Sequence, residues 1–185
     1  MIELLHFAAE GDDVKFISDY LAFLKLDIET IISTNTEGWT NLPKVKNRFE
    51  ESSNKVGKNL VIFDANGDFN KRSHDIEETK KKLDISFELF LFPNNRDRGC
   101  VEDLLLEIIN PKYKDFTGCF DDYLNCVNKC PYPPKNISLK SKFFAFLECT
   151  GQPTKISKLD FQNKEYWNLT HDALMPLREF LLSQV

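Results

Sequence analysis

The chain predicts an open α/β fold built on a mainly parallel central sheet, and three observations carry that reading. Short apolar runs without helical periodicity alternate with stretches whose apolar residues recur every three or four positions. Strands separated by helices need crossover connections, which make neighbouring strands parallel and cover both faces of the sheet. Three of the apolar runs also lead straight into acidic residues, at what becomes one edge of a parallel sheet.

Residues 2–9 form the first strand, closed by the turn Glu10-Gly11-Asp12-Asp13. Val14, Ile17, Leu21 and Leu24 then mark one face of a helix. Residues 28–34 are β-branched and read as a second strand. Gly38-Trp39-Thr40-Asn41 turns the chain, and Pro43 opens a helix to about residue 55, because proline is tolerated in a first helical turn. Residues 59–63 are the third strand, Asn66-Gly67 breaks it, and residues 70–83 are a charged helix whose Glu77 and Glu78 pair with lysines 80–82 on the surface. Residues 87–92 are the fourth strand. A polar loop over 94–99 precedes a short helix, 101–109, with Glu102 and Asp103 in its first turn. Beyond Pro111, residues 113–130 are an aromatic-rich helix and Pro131-Tyr132-Pro133-Pro134 a rigid turn. Residues 138–149 are an apolar helix bearing Lys140 and Lys142, 161–168 are irregular, and 174–182 close the chain as a helix. The expected architecture has three layers: about four strands flanked by helices in residues 1–110, and a helical extension, 111–185, packed on the same globular unit.

With 185 residues, 42% of them hydrophobic, the chain can bury one good core and leaves little material for a second full domain. No window is long enough to span a bilayer, and the amino terminus lacks the basic-then-apolar pattern of a signal peptide. A cytoplasmic protein with no membrane partner and five reduced cysteines is expected. Cys119, Cys126 and Cys130 lack the Cys-x-x-Cys pair or nearby histidine that would complete a zinc set, and read as small buried or half-buried thiols. His6, in a core strand, and His74 and His171, at the surface or helix ends, anchor no mechanism.

Glu10, Asp64 and Glu102 or Asp103 are far apart in sequence, yet the fold gathers them at one sheet edge. Mg²⁺ and Mn²⁺ favour carboxylate oxygens, and two such ions about 4 Å apart stabilise the attacking and leaving oxygens of phosphodiester cleavage. The competing explanation for each acid is helix capping, since negative charge is favourable at a helix N-terminus. Lys71, Arg96 and Arg98 are expected on the same edge, placed to receive phosphates, with Trp39 beside them as a substrate contact. Lys44, Lys46 and Arg48 form another basic group, and Lys135 joins Lys140 and Lys142 in a third. A net charge of −5 weighs against a broadly basic nucleic-acid surface. Phe116, Phe120, Tyr123 and Tyr132 could stack bases, but the simpler expectation is that they pack the C-terminal helices onto the sheet.

Glu10-Gly11-Asp12-Asp13 before an amphipathic helix, and Val61-Ile62-Phe63-Asp64-Ala65-Asn66-Gly67-Asp68 after a βα unit, resemble the two signature motifs of the Toprim superfamily. Those motifs are a strand-end glutamate and, later, an Asp-x-Asp. Phe92-Pro93-Asn94-Asn95, Gly99 and Glu102-Asp103-Leu104-Leu105 resemble a small bacterial family of Toprim-like proteins of unknown function, related to the Toprim domains of OLD-family nucleases. Lys140-Ser141-Lys142-Phe143-Phe144-Ala145-Phe146-Leu147 resembles the same family, so the similarity spans most of the chain. The resemblance implies Glu10 as metal ligand and general acid/base, Asp64 as principal metal ligand, and Glu102 and Asp103 at a second metal. It implies Lys140 or Lys142 as the catalytic lysine that stabilises developing charge. One departure stands out: Asn66 replaces the second acid of the Asp-x-Asp, keeping an oxygen ligand but losing a charge, which Asp68 supplies if Gly67 lets the loop turn back.

The function implied is a Mg²⁺- or Mn²⁺-dependent nuclease acting on DNA or RNA, with a second protein or a homodimer helping to grip the substrate. Phage defence is one of the settings in which Toprim-like domains serve. The alternative is a catalytically inactive Toprim-like binding module for a nucleotide, nucleic acid or protein partner, which Asn66 and the net negative charge favour. A phosphoacceptor receiver domain fits less well, because the loop after the fourth strand offers no early hydroxyl residue and no fifth strand ends in lysine.

Overall fold

The computed structural model describes residues 2–133 and 139–185. Pro134, Lys135 and Ser138, each given a part in the sequence reading, lie outside the described residues. Strands β1 (Ile2–Ala9), β2 (Ile28–Asn35), β3 (Lys58–Asp64) and β4 (Glu88–Phe92) form one sheet in the order β2-β1-β3-β4, with every neighbouring pair parallel. Helix α1 (Asp13–Leu24) connects β1 to β2, α2 (Lys46–Asn54) connects β2 to β3, and α3 (Phe69–Leu83) connects β3 to β4. Then come α4 (Val101–Glu107), α5 (Lys114–Val127), α6 (Leu139–Cys149) and α7 (Met175–Leu182). The α/β class, the parallel sheet and the helical layers on its two faces are those the alternation of apolar runs predicts. Among the described residues no helix is long and apolar enough to cross a membrane.

Period-two alternation divides the strand side chains between two apolar layers. Leu5, Phe7, Leu60, Ile62, Phe90 and Phe92 face the larger layer, where Phe16 and Ile17 of α1, Leu104 and Leu105 of α4, Phe143 and Leu147 of α6, and Leu177 of α7 cover them. Ala8, Val61, Phe63 and Leu91 face the smaller one, closed by Leu42, Val45, Phe49 and Ile76. The four residues Leu60, Val61, Ile62 and Phe63 are fully buried, so β3 is covered on both sides, and each such side chain stabilises the fold by roughly 1.5–3 kcal/mol. Ala9 pairs with Ile62 and Asp64 with Phe92, so β1, β3 and β4 end almost level. That common end holds the acids.

Three sequence expectations need correction. Pro43 does not open an α-helix: Trp39–Val45 is a 3₁₀ segment with Pro43 inside it, and α2 begins only at Lys46. Proline has no N–H to donate and restricts the residue before it, so the regular ladder starts after it. The aromatic residues of α5 do not pack the helix onto the sheet. No residue of α5 is buried, and Phe116, Tyr123 and the following Tyr132 are 42%, 54% and 93% exposed. Cys119, Cys126 and Cys130 are exposed rather than buried.

Candidate metal centre

Glu10 follows the last residue of β1, and the loop that carries it is fixed from the neighbouring strand. Gly11, at φ +50°, donates its N–H to the side-chain oxygen of Asn35 at the end of β2 (2.9 Å), and the same oxygen accepts from the Glu37 N–H (2.9 Å). The Asp13 N–H donates to the Glu10 carbonyl (3.0 Å), which starts α1 immediately and turns the Asp13 side chain back toward the strand ends. Asp64 is the last residue of β3. Its Oδ1 accepts from the N–H of Val101, the first residue of α4 (2.9 Å).

The approach of α4 to β3 depends on a small antiparallel bridge. Asn66 and Gly99 exchange backbone hydrogen bonds, 2.6 Å from Asn66 N–H to Gly99 and 2.8 Å in return. Gly99 sits at φ +142°, and a Cβ there would lie 2.5 Å from Asp103 Oδ2, so glycine is required by both conformation and space. With α4 anchored, Glu102 in its first turn meets Lys140 of α6, Oε1 to Nζ 2.9 Å.

Glu10, Asp13, Asp64, Glu102 and Lys140 line one open cleft of about 640 Å³ at the C-terminal edge of the sheet, with Asp12, Glu37 and Lys155 at its margin. Asp13, Asp64 and Glu102 are buried. Two carboxylate oxygens in this group, Glu10 Oε1 and Glu102 Oε2, are buried without a hydrogen-bond partner. Burying acids side by side opposes their ionisation. Burial raises the Asp13 carboxyl to about 9, reinforced by the charges of Asp64, Glu102 and Glu10. Burial likewise raises Asp64 to about 7, against the Val101 N–H and the Lys140 charge. Glu10 is raised by burial too, opposed by the Arg72 guanidinium, the Trp39 backbone N–H and Lys140. Burial works against the Lys140 ammonium, but its hydrogen bond to Glu102 and the surrounding acids prevail and push it up to about 12. The cluster therefore contains more buried carboxylate than Lys140 neutralises, and it is built from oxygen donors suited to a hard cation.

The other residues singled out in the sequence have different places. Asp68 caps α3, its Oδ1 accepting from the Lys71 N–H (3.0 Å). Asp103 caps α4, its Oδ2 accepting from the Cys100 N–H (2.8 Å). Neither lines the cleft. Asn66 is exposed, with its Nδ2 3.5 Å from the Asp64 carbonyl. Lys142 points away from Lys140 to pair with Asp121 (2.8 Å). Lys142 lines a separate groove with Arg98, Asp103 and His171. Lys71 is exposed, and Arg96 is exposed and paired with Asp97. Trp39 reaches the acids only through its backbone N–H, while its ring carries the Arg72 guanidinium at 5.4 Å. Asp13 and Arg72 are the members that sequence reasoning passed over: Asp13 read as part of a turn, and Arg72 had no part in the site. Cys100 is a third, buried beside Asp64 and Glu102.

A parallel α/β sheet carrying a carboxylate cluster on the C-terminal edge of its strands is a fold with its site where open α/β sheets place them. The chain matches the family described as "Protein of unknown function (DUF3226)" over residues 9–184, and it belongs to that family. No curated protein and no solved structure shows significant similarity to it.

Proposed function

We propose that this protein is a Toprim-like, Mg²⁺- or Mn²⁺-dependent phosphodiesterase acting on nucleic acid. The observation that supports the reading best is the surplus of buried carboxylate over cation in the cleft, including the two unpartnered oxygens of Glu10 and Glu102. Asp64 and Glu102 would hold a divalent ion directly, with Glu10 and Asp13, on the same cleft lining, reaching it through retained water. When bound, the ion supplies positive charge for a phosphate and acidifies a coordinated water. Lys140, already in the cleft, is the side chain placed to meet charge developing on a phosphate oxygen once its hold on Glu102 loosens. Glu10, whose carboxyl is raised above its ordinary value, is the group suited to take and return a proton. The cleft is open on one side, which suits a polymer better than an enclosed small molecule.

The test is a Mn²⁺ and Mg²⁺ titration of the wild type and Asp64→Asn by calorimetry, with cleavage of plasmid, single-stranded DNA and RNA followed in the same samples. Binding with cleavage, both lost in the variant, is the expected result. Binding without cleavage would favour the module that recognises nucleic acid without cutting it, and no binding would remove the metal from the reading altogether.

A further inference from the structure

Cys100 opens α4, buried to 7% exposure, and its Sγ belongs with one carboxylate oxygen each from Asp64 and Glu102 to a group whose ligand atoms all lie within 4.8 Å of one another. Among the described residues this is the group of acids, histidines and cysteines close enough to hold an ion. A zinc-sized ion is bound at about 2.0–2.3 Å by oxygen and sulfur, so its ligands stand on the order of 3.5 Å apart, and a side-chain shift of about 1 Å closes the three onto one ion. Glu102 is 4% exposed, and its Oε2 lacks any partner. This buried acceptor is the independent sign that something is to be bound here.

Capping accounts for the cysteine only in part: its side chain and that of Asp103 form a reciprocal capping box at the start of α4. The residue that opens a helix is preferably Ser, Thr, Asp or Asn, whose side-chain oxygen accepts a backbone N–H. Asp103 receives the Cys100 N–H, and the thiol, a weak partner for the backbone, lies 3.4 Å from the same carboxylate and hydrogen-bonds to Glu102 as well. A serine would serve the helix better. What a thiol adds is affinity for softer ions, because thiolate favours zinc-like metals while carboxylate and water favour Mg²⁺ and Mn²⁺.

Resting on the metal-centre reading above, we infer that the centre has two chemically different ends, one on the cleft lining and one in its wall, where Cys100 meets Asp64 and Glu102. Glu10 and Asp13 form a hard oxygen end, while Cys100, Glu102 and Asp64 form a mixed sulfur and oxygen end that takes a borderline-soft divalent ion such as Zn²⁺ or Co²⁺. Asp64 stands between the two. On binding, the Cys100 S–H bond is replaced by a sulfur–metal bond and the proton passes to solvent; no oxidant or reductant is involved.

The other four cysteines are exposed and would bind soft metals by themselves, so the experiment is done on the full chain with Cys119, Cys126, Cys130 and Cys149 changed to serine. This chain and its Cys100→Ser derivative are titrated anaerobically with Co²⁺ and Cd²⁺ by ultraviolet absorbance, and with Mn²⁺ by calorimetry. Serine at 100 is a good helix opener, and circular dichroism checks that both chains fold. The expected result is a sulfur-to-metal charge-transfer band at one equivalent in the parent and none in Cys100→Ser. Cd²⁺ affinity should fall by about tenfold or more, with Mn²⁺ affinity within about twofold of the parent. Co²⁺ binding in the parent without the band would overturn the sulfur ligand while leaving the oxygen centre standing. A band that survives Cys100→Ser would also overturn it, and absence of binding by any of the three ions would remove the centre and this inference together.

Discussion

The junctions from β3 to α3 and from β4 to α4 carry similar sets of acids and use them differently. Each presents one carboxylate to the cleft, Asp64 from the first and Glu102 from the second, and commits another, Asp68 or Asp103, to the start of a helix. The committed acids accept backbone N–H groups that a helix start leaves without partners. In the cleft, Asp64 gives one oxygen to the Val101 N–H, while Glu102 receives an ammonium on one oxygen and nothing on the other. The comparison teaches that an acid after a strand is read by what its second oxygen touches. Position in the motif does not decide it, since Asp68 and Asp103 both stand in motif strings.

The sharpest way to break this contrast is to neutralise one acid of the cleft. Asp64→Asn keeps an acceptor for the Val101 N–H, which alanine would leave buried and unpaired, and should lower divalent-metal affinity by roughly two orders of magnitude or more. Calorimetry on the folded variant checks it, and near-wild-type affinity would place the ion elsewhere.

Stability against pH comes next. Asp13 and Asp64, at about 9 and about 7, both lie above their unfolded values of about 4, so the folded chain keeps protons that the unfolded chain has released. Their contribution is fully present below about pH 4 and is lost as pH rises through about 7 and then about 9. Thermal melts of metal-free protein from about pH 5 to about pH 9 should show a falling Tm, flattened by Asp13→Asn and by saturating Mn²⁺. A Tm that climbs over this range contradicts the assignment.

Glu102→Gln releases Lys140 and removes one ligand, and a loss of about tenfold in metal affinity is expected. Smaller effects belong to the capping acids. Asp68→Ala should cost about 1 kcal/mol in denaturant unfolding, with unchanged metal affinity. The smallest is Asn66→Asp, which restores the Asp-x-Asp pattern at an exposed side chain outside the cleft lining and should alter metal affinity by less than about twofold. A large gain would mean that residue 66 turns into the site.

The strands were legible because β1, β3 and β4 carry short apolar runs and β2 is β-branched, and the parallel sheet followed from the helices between them. Glu10 and Asp64 were legible as strand-end acids. Lys140 and Lys142 were not separable by sequence: two positions apart on a helix they point to different sides, and only the packing of α6 against α4 brings Lys140 to Glu102 and leaves Lys142 to Asp121. Asp13 was hidden because a helix-opening acid is ordinary, and its burial depends on the Asn35 clamp from a strand over twenty residues away. The exposure of α5 was hidden for the opposite reason, since aromatic residues at helical spacing read as core.

Lys140 gives the cleft a counterion that is covalently tethered and cannot diffuse away. On the metal-centre reading, an ion that takes both oxygens of Glu102 would displace a resident competitor held at high effective concentration by α6, so the apparent affinity would record an exchange and not a simple filling. The same tether shields the site from monovalent cations of the buffer, which compete poorly with an ammonium that is always present. On that reading occupancy of the cleft and the position of α6 would be linked: a bound divalent ion would free one lysine for the anion that follows.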